Sequence, residues 1–519
     1  MSEDTTAAPD RSEAPASSYS WYVLGVLVVV YILNFIDRQI LAILAVDIKR
    51  DLELTDGDLG FLGGAAFAVF YALFGVPLGR LADRWNRVRL LTIGLVLWST
   101  MTALSGFARN FATLSLARMG VGVGEATASP TAYSLISDYF PSRQRATALA
   151  IYSSGLYIGG GVSLLIGANI SKWWDAAYPG GGMGGLVGWQ AAFVAVGLPG
   201  LLLALWVASL REPARPPAAG SGDRHPLIDF FVDLSMLLPP FTLAHAASRG
   251  AKAFAVNLVM AAAMTGFALV MIEITKNPQQ WGAIAFGYYA VFSWAATLRH
   301  RDPATFQLIW GTPAFICTAL GYGLVSLGAY ALAFWSAPYA ETVLELPKSE
   351  LAFVLGGCGA ASGFLGVILG GRMSDWLRAH NPSGRILVIM FGILAPIIPI
   401  WIGFTTESAL LFYVMNFLAG MFAATALGAA AATTQDLVLP QMRGTATASF
   451  FLATTLVGLG LGPFMVGTIS DLSGSLRIGV LSLIGVAPIS LALLIWAYRA
   501  LPKAEATIAE RAAAAVSRT

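Results

Sequence analysis

The chain has 519 residues, of which 57% are hydrophobic and only 12% charged, and its mean hydropathy is +0.70. Soluble domains carry about 25% charged residues, so this composition excludes an ordinary soluble enzyme or binding module and points to a polytopic membrane protein. The net charge of +2 argues neither for nor against an acidic partner, and no nucleic-acid partner is expected.

Residues 1–20 are rich in Ser, Ala, Pro and acids and lack a basic n-region, so they read as a disordered tail, not a signal peptide. Apolar stretches of spanning length follow at about 21–46, 59–80, 88–107, 111–139, 145–171 and 188–210. A second set lies at about 305–339, 350–371, 385–404, 408–434, 445–469 and 478–498. The predicted organisation is therefore a six-helix bundle over 21–210, a central linker over 211–303 and a second six-helix bundle over 304–500. Residues 501–519 form a cytoplasmic tail, and Lys503–Thr519 reads as disordered. Within the linker, Pro226–Ala247 reads as an interfacial helix interrupted at Pro239-Pro240. Phe254–Ile274 and Trp281–Leu298 read as a membrane hairpin turning at Lys276-Asn-Pro-Gln-Gln280.

Cys317 and Cys358 lie in apolar runs, and neither HExxH nor CxxC occurs, so no metal, cofactor or enzymatic chemistry is expected. Basic residues mark the even-numbered loops: Arg84, Arg87 and Arg89; Arg143 and Arg145; Arg372, Arg378 and Arg385; Arg443. The odd-numbered loops are acidic, with Asp47, Asp51, Glu53, Asp56 and Asp58 in the first. Positive-inside then predicts both termini in the cytoplasm of a cell whose plasma (inner) membrane holds the protein.

The two halves repeat. Gly79-Arg-Leu-Ala-Asp83-Arg-Trp is echoed by Gly371-Arg-Met-Ser-Asp375-Trp, and Pro141-Ser-Arg-Gln-Arg145-Ala-Thr-Ala by Pro440-Gln-Met-Arg443-Gly-Thr-Ala. Both echoes are offset by roughly 300 residues and keep their order, as parallel membrane repeats require. The glycines at 120, 122 and 124, and those at 155 and 159–161, fall on apolar helices with no preceding strand. They predict close helix packing and not a nucleotide loop.

The Gly79…Asp83-Arg84-Trp-Asn-Arg87 run resembles the cytoplasmic-loop motif of the major facilitator superfamily of secondary transporters. Asn86 stands where that family has glycine, a position where Asn can take a left-handed turn. Arg118-x-x-x-Gly122-x-Gly124 resembles the family's fourth-helix motif. Asn34-Phe-Ile-Asp37-Arg38, taken with Arg118…Gly122-Val-Gly-Glu125-Ala, resembles the spinster group, lipid-related exporters linked to sphingosine-1-phosphate and lysophospholipids. The resemblance covers the core but not 211–303. It implies an all-α membrane protein with the major facilitator fold: two pseudo-symmetric six-helix bundles, here with an extra two-helix hairpin between them.

Asp37, Arg38, Arg118 and Glu125 are the ionisable residues deep in the spans, where each charge costs roughly 2.5–3.5 kcal/mol on insertion scales. Counted along helix rise from the outer span ends, Asp37 sits roughly 13 Å in and Arg118 roughly 10 Å, with Glu125 about 10 Å deeper still. Depth predicts an Asp37–Arg118 pair, with Arg38 reaching Glu125 only by extending inward. The four are expected to couple substrate to protons: Asp37 and Glu125 as carriers, Arg118 as the switch, Arg38 as an anion contact. The bland alternative is a static ion-pair network, a poor route to stability because desolvation offsets attraction.

The second half offers no deep charge. It offers Trp310, Tyr322, Tyr330, Phe334, Trp335, Phe404, Asn416 and Phe417 instead. A cavity charged on one wall and apolar on the other suits an amphiphile. Asn34, Tyr152, Tyr157, Trp335 and Asn416 are the cavity-lining candidates. Gly79, Asp83, Arg87, Asp138, Arg145, Asp375 and Arg378 are expected at a cytoplasmic gate. There Asp83 would meet Arg145 or a neighbouring helix end, and Arg87 would meet Asp138. Arg89 and Arg385 read equally well as generic positive-inside anchors.

The expected function is alternating-access transport of an amphipathic organic anion such as a lysophospholipid or sphingoid phosphate, coupled to protons, by a monomer. The rivals are a proton-linked carrier of a small organic acid on the same fold and, remotely, a membrane enzyme or non-transporting receptor.

Overall fold

The computed structural model describes residues 16–213 and 225–517. Within a bilayer every backbone polar group must be satisfied inside the protein, and the described chain meets that demand with helices throughout. Twelve of them are long and apolar enough to cross a membrane.

The first bundle holds α1 (Ser18–Asp51), α2 (Asp56–Arg84), α3 (Arg87–Ser105), α4 (Phe111–Glu125), α5 (Ala128–Tyr139), α6 (Ser142–Ala177) and α7 (Gly188–Ala208). α4 and α5 are one span broken at Ala126-Thr127. The linker holds α8 (Pro226–Ser235), α9 (Phe241–Ser248), and an antiparallel hairpin of α10 (Ala251–Thr275) and α11 (Pro278–Arg301). The second bundle runs through α12 (Pro303–Ile309), α13 (Pro313–Thr342), α14 (Lys348–His380), α15 (Gly384–Thr405), α16 (Ala409–Asp436), α17 (Pro440–Ser473) and α18 (Leu476–Ala506). A further helix, α19 (Ile508–Val516), ends the described chain.

Local chemistry sets the helix starts. Thr55 and Asp58 form a reciprocal capping box at α2. Asn86 adopts φ −67° and caps α3, its side chain accepting from the Arg89 amide at 2.8 Å. The left-handed turn expected there does not form. Asn substitutes for glycine as a cap. The hairpin turns at Lys276, whose φ of 56° ends α10, and Asn277 caps α11.

The repeat extends beyond its loop motifs. Arg87 pairs with Asp138, and Arg385 with Asp436, each pair 51 positions apart. Arg385 is thus the counterpart of a structural ion pair and not a generic anchor. The break in the fourth span also recurs, at Thr425 within α16.

We call the end carrying Ser18, Ala208 and Ala506 proximal and the opposite end distal. At the distal end the bundles are closely packed. A Cβ added at Gly60 of α2 would lie 2.6 Å from the Phe464 Cα of α17, and one at Gly161 of α6 would lie 2.5 Å from the Gly356 carbonyl of α14. Gly160 faces open space, so it takes no part in that packing. α11 lies against α2 and α17: Phe70 and Phe286 have ring centroids 6.5 Å apart, Trp281 and Phe464 5.8 Å. The predicted disorder from Lys503 onward is corrected as far as Ser517, the last described residue. α18 continues to Ala506, and Arg511 of α19 donates to Thr312 and to the Ala504 carbonyl.

Candidate functional site

The four predicted charges do come together, and of the two contacts weighed from the sequence the Arg38–Glu125 ion pair is the one that forms. The Arg38 Nη2 lies 2.9 Å from Glu125 Oε2, an ion pair with the carboxylate fully buried. The Arg38 guanidinium also sits 4.9, 4.5 and 5.0 Å from the ring centres of Phe35, Phe67 and Tyr71, so its charge is met by ring faces as well as by the acid. Arg118, 1% exposed, lies over Phe67 and donates through Nη1 to the main-chain carbonyl of Asp37 at 3.1 Å. The expected carboxylate pairing of Asp37 with Arg118 is not formed.

The reason lies in where α1 ends. It continues to Asp51, not to residue 46, which puts Arg38 about 20 Å from its distal end. Glu125 lies about 20 Å along α4 from Phe111, so the two are level and Arg38 needs no unusual extension. Asp37, one residue earlier, points about 100° away. Its carboxylate is completely buried, makes no hydrogen bond within 3.5 Å, and faces Thr102 and Trp98 of α3. Asn34, a turn before Arg38, is buried and faces Glu125.

A tyrosine set surrounds this cluster. Tyr152 is buried and stacks on Tyr31 at 4.3 Å, and Tyr133 meets it edge-on at 5.7 Å. Tyr330 of α13 stands close enough to Arg38 to interact electrostatically, the second bundle's approach to the charges. Tyr157 crosses the other way: a Cβ at Gly363 of α14 would lie 2.4 Å from its ring. Asn416 Oδ1 lies 2.9 Å from the Ser336 hydroxyl. Trp335 is buried, its Nε1 donating to the Pro463 carbonyl at 2.8 Å. It borders a pocket of about 400 Å³ at the distal seam beside Lys49, Asp56 and Asp471.

At the proximal end Arg87 is fully buried and pairs with Asp138. It also meets Glu212 Oε1 at 2.7 Å, and the other Glu212 oxygen accepts from the Val88 amide at 2.9 Å, capping α3. Arg145 donates to the Ser137 carbonyl at 2.8 Å, so its partner is the C-terminal end of α5. Asp83 is exposed in the last turn of α2 and Asp375 five residues before the end of α14, and Gly79 packs loosely on Pro130. Arg378 meets Glu505 at 2.7 Å. Arg80 and Arg84 reach Asp233 and Asp229 of α8 at 2.7 and 2.9 Å; burial pushes the Asp233 carboxyl up despite Arg80 and Arg301. These described ion pairs stay within one bundle or run to the linker.

The distal seam is different. Lys348 meets Asp47 at 2.5 Å across the bundles, and Ser470 donates to Asp56 at 2.7 Å. The Asp471 carboxylate accepts from the first two amides of α2, Asp56 at 3.0 Å and Gly57 at 2.7 Å, a charged cap supplied by the other bundle. Sequence reasoning used Asp47 and Asp56 only for orientation. It also missed Glu212, Trp98 and Thr102. The polar spacing of Trp98 and Thr102 on one face of an apolar helix was the available signal.

The family profile for the Major Facilitator Superfamily matches residues 27–463. The chain belongs to the major facilitator superfamily. It is 25% identical over 462 residues to an MFS-type efflux pump of Mycolicibacterium smegmatis, covering 89% of this chain and 87% of that protein. It is 26% identical to protein spinster homolog 1 of Bos taurus, over 91% of this chain and 77% of the relative. A crystal structure of a bacterial homolog of the human lysosomal transporter spinster, inward-facing and unoccupied, superposes with a TM-score of 0.71 at 26% identity. It covers 94% of this chain and 99% of that one. A D-xylose–proton symporter shares the fold at 13% identity and a TM-score of 0.61. This is an integral multi-pass membrane transporter, and the spinster similarity spans nearly its whole length.

Proposed function

We propose that the protein moves an amphipathic organic anion, such as a lysophospholipid or sphingoid phosphate, by alternating access coupled to protons. The observation that carries this reading is the asymmetry of the interior. All four deep charges belong to the first bundle, whereas the fully buried polar side chains of the second are uncharged among the described residues. A headgroup finds Arg38 and Arg118 on one side. A hydrocarbon tail finds an aromatic and aliphatic lining on the other.

Arg38 is the substrate contact because its guanidinium keeps some exposure, 11%, while its acid partner is buried. An anion arriving there competes with Glu125 for Arg38, and a carboxylate that loses its cation in a dry site takes up a proton. Asp37 is a second carrier, already without a cation on its oxygens. Substrate and proton occupancy are thereby linked through one guanidinium. In this reading the proximal end is cytoplasmic, in line with its arginines, and the closed distal end makes the state inward-facing. The protein works as a monomer in the plasma (inner) membrane. The Ser336–Asn416 hydrogen bond favours a second reading, a proton-linked carrier of a small organic acid, since it offers polar contacts on the opposite wall.

Purified protein in proteoliposomes tests this with radiolabelled lysophosphatidic acid, with and without an imposed pH gradient. Gradient-driven flux that a protonophore collapses is the expected result. Flux of succinate but not of lysophosphatidic acid would establish the second reading instead.

A further inference from the structure

Buried hydroxyls in this protein follow a habit. Thr131, Thr318 and Thr433 each donate to the carbonyl one turn back on their own helix. Thr102 is buried to 0% and does not: its hydroxyl makes no hydrogen bond within 3.5 Å. Trp98, four residues earlier on the same face of α3, is also completely buried, and its indole N–H is unpartnered too. Both face the Asp37 carboxylate, whose two oxygens are likewise buried and unpartnered. Two orphan donors and two orphan acceptors thus share one dry site. Buried polar groups left without a hydrogen bond are costly, so their juxtaposition needs a state in which they are used.

We propose that Trp98 and Thr102 are positioning residues that donate hydrogen bonds to the ionised Asp37 carboxylate, making α3 the third wall of the proton-carrying site. This deepens the proposed transport reading and rests on it. The ionised carboxylate accepts from the indole N–H and from the threonine O–H. When a proton binds Asp37, the acid becomes a donor. The indole cannot accept, so the Thr102 hydroxyl rotates to receive it. The donor pair therefore favours release over uptake, and it does so away from the Arg38–Glu125 pair. The other groups acting on Asp37 are Glu125 and Arg118 of α4. From α6 the Ser163 hydroxyl donates to the Ile36 carbonyl at 3.0 Å.

Ser99 supplies an internal control. It is buried and unpartnered as well, but it packs against α7, where a Cβ at Gly200 would lie 2.1 Å from its hydroxyl oxygen.

The experiment measures pH profiles of lysophosphatidic acid flux in proteoliposomes for the full chain, with monodispersity in detergent as the folding check. Trp98→Phe and Thr102→Val are expected to move the midpoint to higher pH by about one unit, because each removes a donor from the ionised form. Thr102→Ser should restore it, and Ser99→Ala should leave it unmoved. Should Trp98→Phe fail to fold, the Thr102→Val and Thr102→Ser pair decides alone. Midpoints of Thr102→Val and Trp98→Phe coinciding with the parent, while Asp37→Asn is flat, would overturn the inference and leave the transport reading standing. An Asp37→Asn variant with the parent's profile would remove the transport reading's proton carrier, and this inference with it.

Discussion

The buried cluster of the first bundle and the distal seam are built from the same residue types and behave as opposites. In the seam every named carboxylate has a partner at hydrogen-bond distance: Asp47 with Lys348, Asp56 with Lys49 and Ser470, Asp471 with two α2 amides. In the cluster the Arg38–Glu125 contact is the one ion pair among the described residues, while the Asp37 carboxylate, two nitrogens of Arg118, Arg38 Nε and Glu125 Oε1 are buried without a hydrogen bond within 3.5 Å. The seam is where the fold uses charge to join two bodies. In the cluster buried charge is left short of hydrogen-bond partners, an arrangement that suits the proton-linked switch proposed above.

The comparison can be broken at the cluster first. Replacing Glu125 by Ala leaves Arg38 with only aromatic faces, and stability should fall by about 3–5 kcal/mol, read as a lowered detergent melting temperature together with lost flux. A melting temperature equal to the parent's would show that the ion pair contributes nothing the rings do not. Asp37→Asn should separate the two roles. Its carboxylate makes no ion pair, so the melting temperature should hold or rise while gradient-driven flux disappears. A marked loss of stability would reassign Asp37 to the scaffold.

Smaller effects belong to the seam. Asp471→Asn weakens a charged cap on α2 worth about 1–2 kcal/mol, enough to shift a two-state equilibrium toward distal opening. Spin labels at Glu53 and Glu345, both in distal loops, should report a longer distance population. An unchanged distribution would mean that glycine packing alone holds that end. Lys348→Ala should cost least, about 1 kcal/mol or under, and the loss should shrink in high salt because the pair is partly solvated.

Much of the fold was legible in advance because a bilayer leaves the backbone so few options. Apolar length gave the spans, and the Gly79 and Gly371 echoes gave two related bundles. The four-charge cluster was legible for the same reason, since Asp37, Arg38, Arg118 and Glu125 are expensive anywhere in a span. Helix ends were less so. Lys503–Thr519 looks like a tail because its Ala-rich, mixed-charge composition carries no spanning signal. Yet its described part lies in two helices ending at Ala506 and Val516, with Arg511 tied to Thr312 and the Ala504 carbonyl.

By itself the sequence determined which residues pay the cost of burial and in which half they lie, because hydropathy and periodicity are local properties. Pairing was decided only by tertiary structure. A five-residue extension of α1 moved Arg38 level with Glu125, and the 100° step between neighbours turned Asp37 away from Arg118 and toward α3. Likewise, Asp471 and the start of α2 lie more than 400 residues apart in sequence, and only the packing of α17 on α2 makes one the cap of the other.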